Sequence, residues 1–214
     1  MYLVIGANGR TGRHLVKHLR AAGEPVIAMV RDPAQAERFE TLGASVHVHD
    51  LDEDFAPAFA GAHTVIYAAG SAEDQGEVEE QAYDRDAVIR SCDYARAASG
   101  VKRIVVISAL IAAAPDQATA LRHYSFMKRA SDDYVVASGM PYLILRPGPL
   151  DDTPARHRVA LVDGPIPVQP PVSREDVALL AVHAMAAGIE NRIIGFTGGD
   201  TPIEAALTQG TPGG

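Results

Sequence analysis

The 214-residue chain is poor in several features that would each direct function, and every absence closes a class. It has one cysteine, Cys92, so no internal disulfide framework can form and a reducing cytoplasm suits it. No apolar run approaches the roughly 18 residues that a membrane span requires. The opening residues lack a charged n-region and a small-residue cleavage site, so no signal peptide is expected and the expected location is the cytoplasm. Positive charge is not in excess: the formal net charge is −8, which argues against nucleic-acid binding through phosphate neutralisation. Internal repeats are missing too. What remains is the composition of an ordinary soluble globular protein, 47% hydrophobic and 21% charged, long enough to bury a sizeable core.

The opening stretch is the most informative. An apolar run, Met1-Tyr2-Leu3-Val4-Ile5, ends at Gly6, and glycines recur at Gly9 and Gly12 before a helical pattern begins around His14. Strand, glycine turn and helix in that order place unpaired first-turn N–H groups and the positive end of a helix dipole beside a turn without bulky side chains. A pyrophosphate fits such a place, and Gly6, Asn8, Gly9, Arg10, Thr11 and Gly12 are its candidate ligands. The spacing is G-x-x-G-x-x-G, with Asn8 where the G-x-G-x-x-G dinucleotide fingerprint has its second glycine.

Farther along, apolar runs alternate with helical patterns. Strands are expected at 25–30, 44–49, 64–68, 103–107, 141–145 and 192–196, with helices over 10–22, from Asp32-Pro33 to Gly43, 52–60, 77–99, 120–138 and from Ser173 to Ala187. Asp32 and Ser173 are the expected helix N-caps. This alternation predicts an α/β, Rossmann-type, doubly wound and mainly parallel sheet with helices on both faces and its ligand crevice at the strands' carboxyl ends. Residues 1–214 are read as a single domain. Proline-rich residues 147–172 are read as a small cap on the substrate side, with a short strand near Val159–Val162, and 210–214 as a frayed tail.

Arg31 follows the second strand, where dinucleotide folds hold the adenine ribose. A guanidinium there, with Arg10 in the first turn, favours NADP over NAD, because arginine grips a 2′-phosphate bidentately. The competing readings are Arg31 as a solvated strand-end charge and Asp32 as the ribose-binding acid. Asp50 and Leu51 end the third strand, where they could flank the adenine; Asp50 could equally be a helix cap. Ala68, Ala69 and Gly70 end the fourth strand with residues small enough for a cofactor to pass over.

Chemistry is expected from Ser108, at the end of the fifth strand, with Tyr124 and Lys128. The Tyr-x-x-x-Lys spacing puts both side chains on one helix face. A nearby ammonium would lower the phenol from its reference pKa of about 10 and make it a usable proton donor and acceptor. Ser108 would bond the substrate oxygen, Tyr124 would transfer the proton, and Lys128 would also reach the nicotinamide ribose. Among other candidates, His47 and His49 share a strand face but find no third ligand nearby, so no metal is expected. Glu73, Asp74, Glu77, Glu79 and Glu80 suit a helix start. Cys92 reads as a packing residue. His123, His157 and the basic run Arg156-His157-Arg158 could line the substrate side or be solvated.

Taken together, the glycine loop, Ser108, Tyr124 with Lys128, and Leu145-Arg146-Pro147-Gly148-Pro149 resemble the short-chain dehydrogenase/reductase superfamily. The likeness is to its atypical, NAD(P)-binding NmrA-like branch, which includes nucleotide-sugar epimerases and flavin reductases. The resemblance implies that Pro147 lies beside the nicotinamide. The chain is shorter than an extended epimerase, which leaves little to hold a nucleotide-sugar. The expected function is an NADP-dependent oxidoreductase acting on a small carbonyl-type substrate as a monomer or homodimer. The alternatives are an epimerase- or dehydratase-like enzyme and a non-catalytic NADP-binding redox sensor.

Overall fold

The computed structural model describes residues 1–71, 76–166 and 169–209. Its centre is a nine-stranded sheet. Seven strands run parallel: β1 (Tyr2–Ile5), β2 (Val26–Val30), β3 (Ser45–Val48), β4 (Thr64–Tyr67), β5 (Arg103–Ile107), β6 (Tyr142–Pro147) and, after two short strands and the antiparallel β8, β10 (Arg192–Gly198). Their spatial order is β3-β2-β1-β4-β5-β6-β10. β8 (Arg158–Leu161) and β11 (Thr201–Pro202) extend that sheet antiparallel beyond β10, while β7 (Leu150–Asp151) and β9 (Val172–Ser173) pair with each other. The expected doubly wound, mainly parallel α/β sheet is the fold observed.

Helices cover both faces. α1 (Arg10–Ala21) and α6 (Arg174–Ala186) pack on one side, with α7 (Ile203–Gln209) against α6. The other side holds α4 (Ala87–Ala97) and α5 (Arg122–Ala137), and the short α2 (Ala36–Glu40) follows β2. β1 shows how a period of two feeds two cores: Tyr2 and Val4 join the α1/α6 side, Leu3 and Ile5 the opposite side. The central strand β5 repeats the pattern, Val105 and Ile107 facing one core and Ile104 and Val106 the other, so the whole strand is buried.

The caps are the expected ones. The Asp32 carboxylate accepts from Ala34 N at 2.9 Å, opening a 3-10 turn at Pro33–Gln35, and the Ser173 hydroxyl accepts from Asp176 N at 3.0 Å. Three local features differ from expectation. The single helix expected over 77–99 is α3 (Glu77–Glu79), then a π-helical segment (Glu80–Asp86), then α4. The 52–60 stretch narrows to a 3-10 turn at Ala56–Phe59. In the proline-rich 147–172 stretch the strand expected near Val159–Val162 is present as β8, but it hydrogen-bonds into the main sheet instead of belonging to an irregular cap. β11 and α7 were unanticipated. Glu73, Asp74 and the tail 210–214 lie outside the described residues.

Candidate functional site

A cavity of about 330 Å³ opens at the carboxyl ends of β1 to β4, where the strand order reverses between β1 and β4. It is lined by Gly6, Asn8 and Gly9 from the glycine turn, Arg31 after β2, His49, Asp50 and Leu51 after β3, Ala69 and Gly70 after β4, and Tyr83 from the π segment. Eight of the residues singled out from sequence therefore meet in one place: Gly6, Asn8, Gly9, Arg31, Asp50, Leu51, Ala69 and Gly70.

The glycine turn has little room to vary. Gly6 sits at φ +75°, and a Cβ on it would lie 2.6 Å from Ala69 N. Gly12, inside the first turn of α1, faces the Gly6 and Ala7 carbonyls, and a Cβ there would come within 2.9 Å of the Ala7 oxygen and overlap that of Gly6. The N-cap of α1 is Gly9, which has no side chain to cap the helix, and the first turn carries no acid. These are the conditions under which first-turn N–H groups serve a bound anion.

Around Asn8 the structure gathers guanidinium groups. Its side-chain oxygen accepts from Arg13 Nε and from Arg38 Nη1, each at 3.1 Å, and burial together with Arg38 lowers the pKa of Arg13. Neither arginine was picked out from sequence. Arg38 stands seven residues after Arg31, and Arg13 follows the last glycine on the exposed side of α1, so spacing from Arg31 and Gly12 was the available signal. Arg10 Nη1 lies 3.3 Å from Asp152, which also takes Arg174 at 2.8 Å. Asp32 is engaged in its cap, and Asp50 accepts from Asp52 N at 3.1 Å, making a turn at the cavity edge. Thr11 and Gly12 are buried beneath the loop, Ala68 is partly buried against the core, and Pro147 ends β6 in register with Phe196.

Beyond Gly70 lies a second cluster. A Cβ on Gly70 would be 2.9 Å from Asp84 Oδ1 and 3.9 Å from Lys128 Nζ, so the cavity floor adjoins the lysine. Lys128 is 3% exposed, pairs with Asp84 at 2.9 Å, and donates at 3.4 Å to the Ile107 carbonyl. Its ammonium lies 5.7 Å from the centre of the Tyr124 ring. Burial opposes the charge on Lys128, but Tyr124, Asp84 and Asp132 outweigh it and hold the ammonium above the ordinary lysine value.

Tyr124 itself corrects an expectation. Burial pushes its phenol up, and the downward pull of Lys128 is countered by Asp84, Glu80 and Asp132, so the net shift is above the ordinary 10.0. The lysine's charge is shared with carboxylates that the spacing of Tyr124 and Lys128 could not reveal.

Ser108 donates to Asp132 Oδ2 at 2.8 Å, and the same oxygen accepts from Arg146 Nε at 2.8 Å. That oxygen carries no proton, so the serine is the donor and meets any further group as an acceptor. Asp132 Oδ1 is buried without a hydrogen-bond partner, and burial raises the carboxyl despite Arg146 and Ser108. Asp84 and Asp132, like Arg13 and Arg38, are residues that sequence reasoning missed. Asp84 lies four and seven residues before the buried Val88 and Ser91, and Asp132 lies four after Lys128, so each is an acid on the inner stripe of its helix. His123, one of the substrate-side candidates, pairs with Glu80 at 2.7 Å. The basic run is turned to acids: Arg156 N and His157 N donate to Asp176, and the Arg156 guanidinium lies 3.4 Å from Asp200.

Residues 6–187 match the family of NAD(P)H-binding proteins. The chain belongs to that family. It is 33% identical over 212 residues to an uncharacterized sugar epimerase, YhfK, of Bacillus subtilis, covering 96% of this chain and 98% of the relative. Among solved structures it resembles the "putative NAD-dependent epimerase/dehydratase" of Bacillus halodurans, with a TM-score of 0.92, 32% identity, and coverage of 97% and 98% of the two chains. An anaerobillin reductase of Escherichia coli O157:H7 superposes with a TM-score of 0.78 at 23% identity, over 93% of this chain and 97% of that one, a likeness of fold alone. The family match brings a nicotinamide dinucleotide to this chain, and the glycine turn and its cavity fit one. Among the described residues, no helix is long and apolar enough to cross a membrane.

Proposed function

We propose that the chain is an NADP-dependent oxidoreductase of the atypical, NmrA-like short-chain dehydrogenase/reductase type, acting on a small carbonyl-type substrate. The observation that carries this reading is the adjacency of two sites. The cavity at the glycine turn borders, across Gly70, the buried Lys128–Asp84 pair beneath Tyr124.

In this reading Gly6, Asn8, Gly9, Thr11 and Gly12 shape the pyrophosphate seat, and Asp50, Leu51 and Ala69 flank the adenosine half. Arg31, with Arg13 and Arg38 gathered at Asn8, receives the 2′-phosphate. Arg10 acts from the cap side, through Asp152. Ala68, Gly70, Lys128 and Pro147 lead to the nicotinamide end, over which 147–172 forms the substrate-side cap of a single domain. NADPH, when bound, supplies the hydride. Tyr124, held protonated by its surroundings, delivers the proton to the substrate oxygen, and Lys128 keeps a positive charge beside the phenol. Ser108, its proton committed to Asp132, positions the substrate from the acceptor side. The work of Asp84 and Asp132 is to orient Lys128 and Ser108.

Titration with NADPH and NADH tests the cofactor assignment: Arg31→Ala and Arg38→Ala each weaken NADPH by about tenfold and leave NADH unchanged, a loss of roughly 1.4 kcal/mol. Equal weakening of both cofactors overturns it. For the chemistry, Tyr124→Phe abolishes NADPH-dependent carbonyl reduction while NADPH still binds. The second reading, an epimerase, draws on the names of the Bacillus subtilis and Bacillus halodurans relatives. It predicts cofactor that stays bound through turnover with no net NADPH consumption. A redox sensor predicts that Tyr124→Phe changes no biological output.

A further inference from the structure

Away from the cavity, three metal-ligating side chains meet between α1 and α6. His14 and His18 are one turn apart on α1 and so face the same way. Glu175 stands in the first turn of α6 and reaches across to both. Its Oε1 lies 2.9 Å from His18 Nε2 and 3.6 Å from His14 Nδ1, and the three ligand atoms all fall within 4.8 Å of one another. The side chains are 33%, 18% and 19% exposed in the order His14, His18, Glu175, open enough for an ion to enter yet held by helix packing.

We propose that His14, His18 and Glu175 form a site for a divalent transition metal of the zinc class, which clips α1 to α6. Ligands about 2.0–2.1 Å from a tetrahedral ion sit about 3.3 Å apart, and the two distances to Glu175 bracket that value. Two imidazoles and one carboxylate are a donor set that suits zinc, cobalt, nickel or copper better than magnesium or calcium, and three protein ligands leave a fourth position for water. Lys17 is the competitor: its ammonium lies 2.9 Å from the same carboxylate oxygen, but the side chain is 58% exposed and can leave for solvent.

The site is independent of the cofactor reading. It joins the helix that starts at the glycine turn to the helix that starts at the Arg174–Asp152–Arg10 bridge, so an ion here would fasten two elements that the cap already links.

Calorimetric titration of the tag-free, chelator-treated chain with zinc chloride tests this. Wild type is expected to take up one equivalent with a raised thermal midpoint, and magnesium chloride to do neither. His14→Ala and His18→Ala weaken uptake at least tenfold while keeping the chelated protein's midpoint within a few degrees of wild type. Lys17→Met, which removes the competing ammonium, tightens zinc severalfold, an effect that a merely structural ion pair would not produce. No saturable uptake by wild type overturns the proposal. So does uptake that survives both histidine variants and disappears in His47→Ala, since His47 and His49 are the other close imidazole pair, with ring centres 6.3 Å apart.

Discussion

Lys128 and Asp84 meet at 2.9 Å with side chains only 4% and 1% exposed, one from α5 and one from the π-helical segment. Ser71 completes the carboxylate's surroundings, its hydroxyl donating to Oδ2 at 2.6 Å and its N–H at 3.1 Å. Two charges out of water are tolerable only together, and removing one strands the other. Asp84→Ala is therefore expected to lose about 3–5 kcal/mol of stability, and Asp84→Asn less. The double variant Asp84→Ala with Lys128→Met is expected to recover part of that loss, because no charge is then left unpaired. Urea denaturation measures all three; single-variant losses below about 1 kcal/mol would sink the idea that the pair is desolvated.

The direction of the Tyr124 shift sets a pH profile. Burial and three carboxylates keep the phenol protonated above the ordinary 10.0, against the pull of Lys128. A proton donor is useful only while it holds its proton, so reductive turnover should be flat through neutral pH and fall as pH rises past 10. Turnover in the oxidative direction, which needs the phenolate, should climb over the same range. A reductive profile breaking below about pH 8 would contradict the geometry, because it would demand a phenol depressed by an unneutralised Lys128.

Most of the architecture is legible in the sequence because strands and helices here obey their periods. β5 reads as a continuous apolar run because both its faces are buried, and the glycines at 6, 9 and 12 mark a turn whose contacts leave no room for a Cβ at Gly6 or Gly12. Most of the cavity residues were legible for the same reason, since they sit at or just after a strand's carboxyl end, whereas Tyr83 comes from the π segment. What was hidden depends on partners distant in sequence. Asp84 reaches Lys128 across 44 residues through a π segment that a single α period over 77–99 does not anticipate, and Arg146 finds Asp132 only once β6 and α5 are packed. Arg10, near the turn by sequence, also pairs with Asp152, 142 residues away, a contact its spacing does not reveal. β11 and α7 were missed because two strand residues and a seven-residue helix are too short to show a period.

Gly12 provides a test of the turn that needs no substrate. A Cβ there would overlap the Gly6 carbonyl oxygen and crowd that of Ala7, both of them backbone atoms that cannot swing aside. Gly12→Ala is expected to lower the thermal midpoint and to weaken NADPH more than tenfold, since the displaced Gly6–Ala7 turn is the proposed seat of the pyrophosphate. Gly188→Ala is the control: unlike Gly12 it has positive φ, at +70°, but nothing lies within 4 Å of its would-be Cβ. It should cost about 1 kcal/mol of backbone strain and leave NADPH binding intact. Equal loss of binding in both variants would show that the effect follows general destabilisation rather than the turn.

Glu175 should leave its signature on acid stability in the metal-free protein. Lys17 and His18 hold its carboxyl at about 2 in the folded chain, against 4.5 for an ordinary glutamate. A depressed folded pKa means that the unfolded chain binds the proton first. The stabilisation is therefore complete above about 4.5 and is lost as pH falls from there to about 2. His18, lowered chiefly by burial, adds a loss that begins just below its ordinary 6.5, in the same direction but at higher pH. Glu175→Gln removes the first component and also takes away the carboxylate that raises His18. With chelator present, its midpoint should lie below wild type at pH 6, and the two curves should converge towards pH 2. A constant gap between them across that range would mean that Glu175 acts through packing of its stem rather than through its charge, since only the charged form titrates.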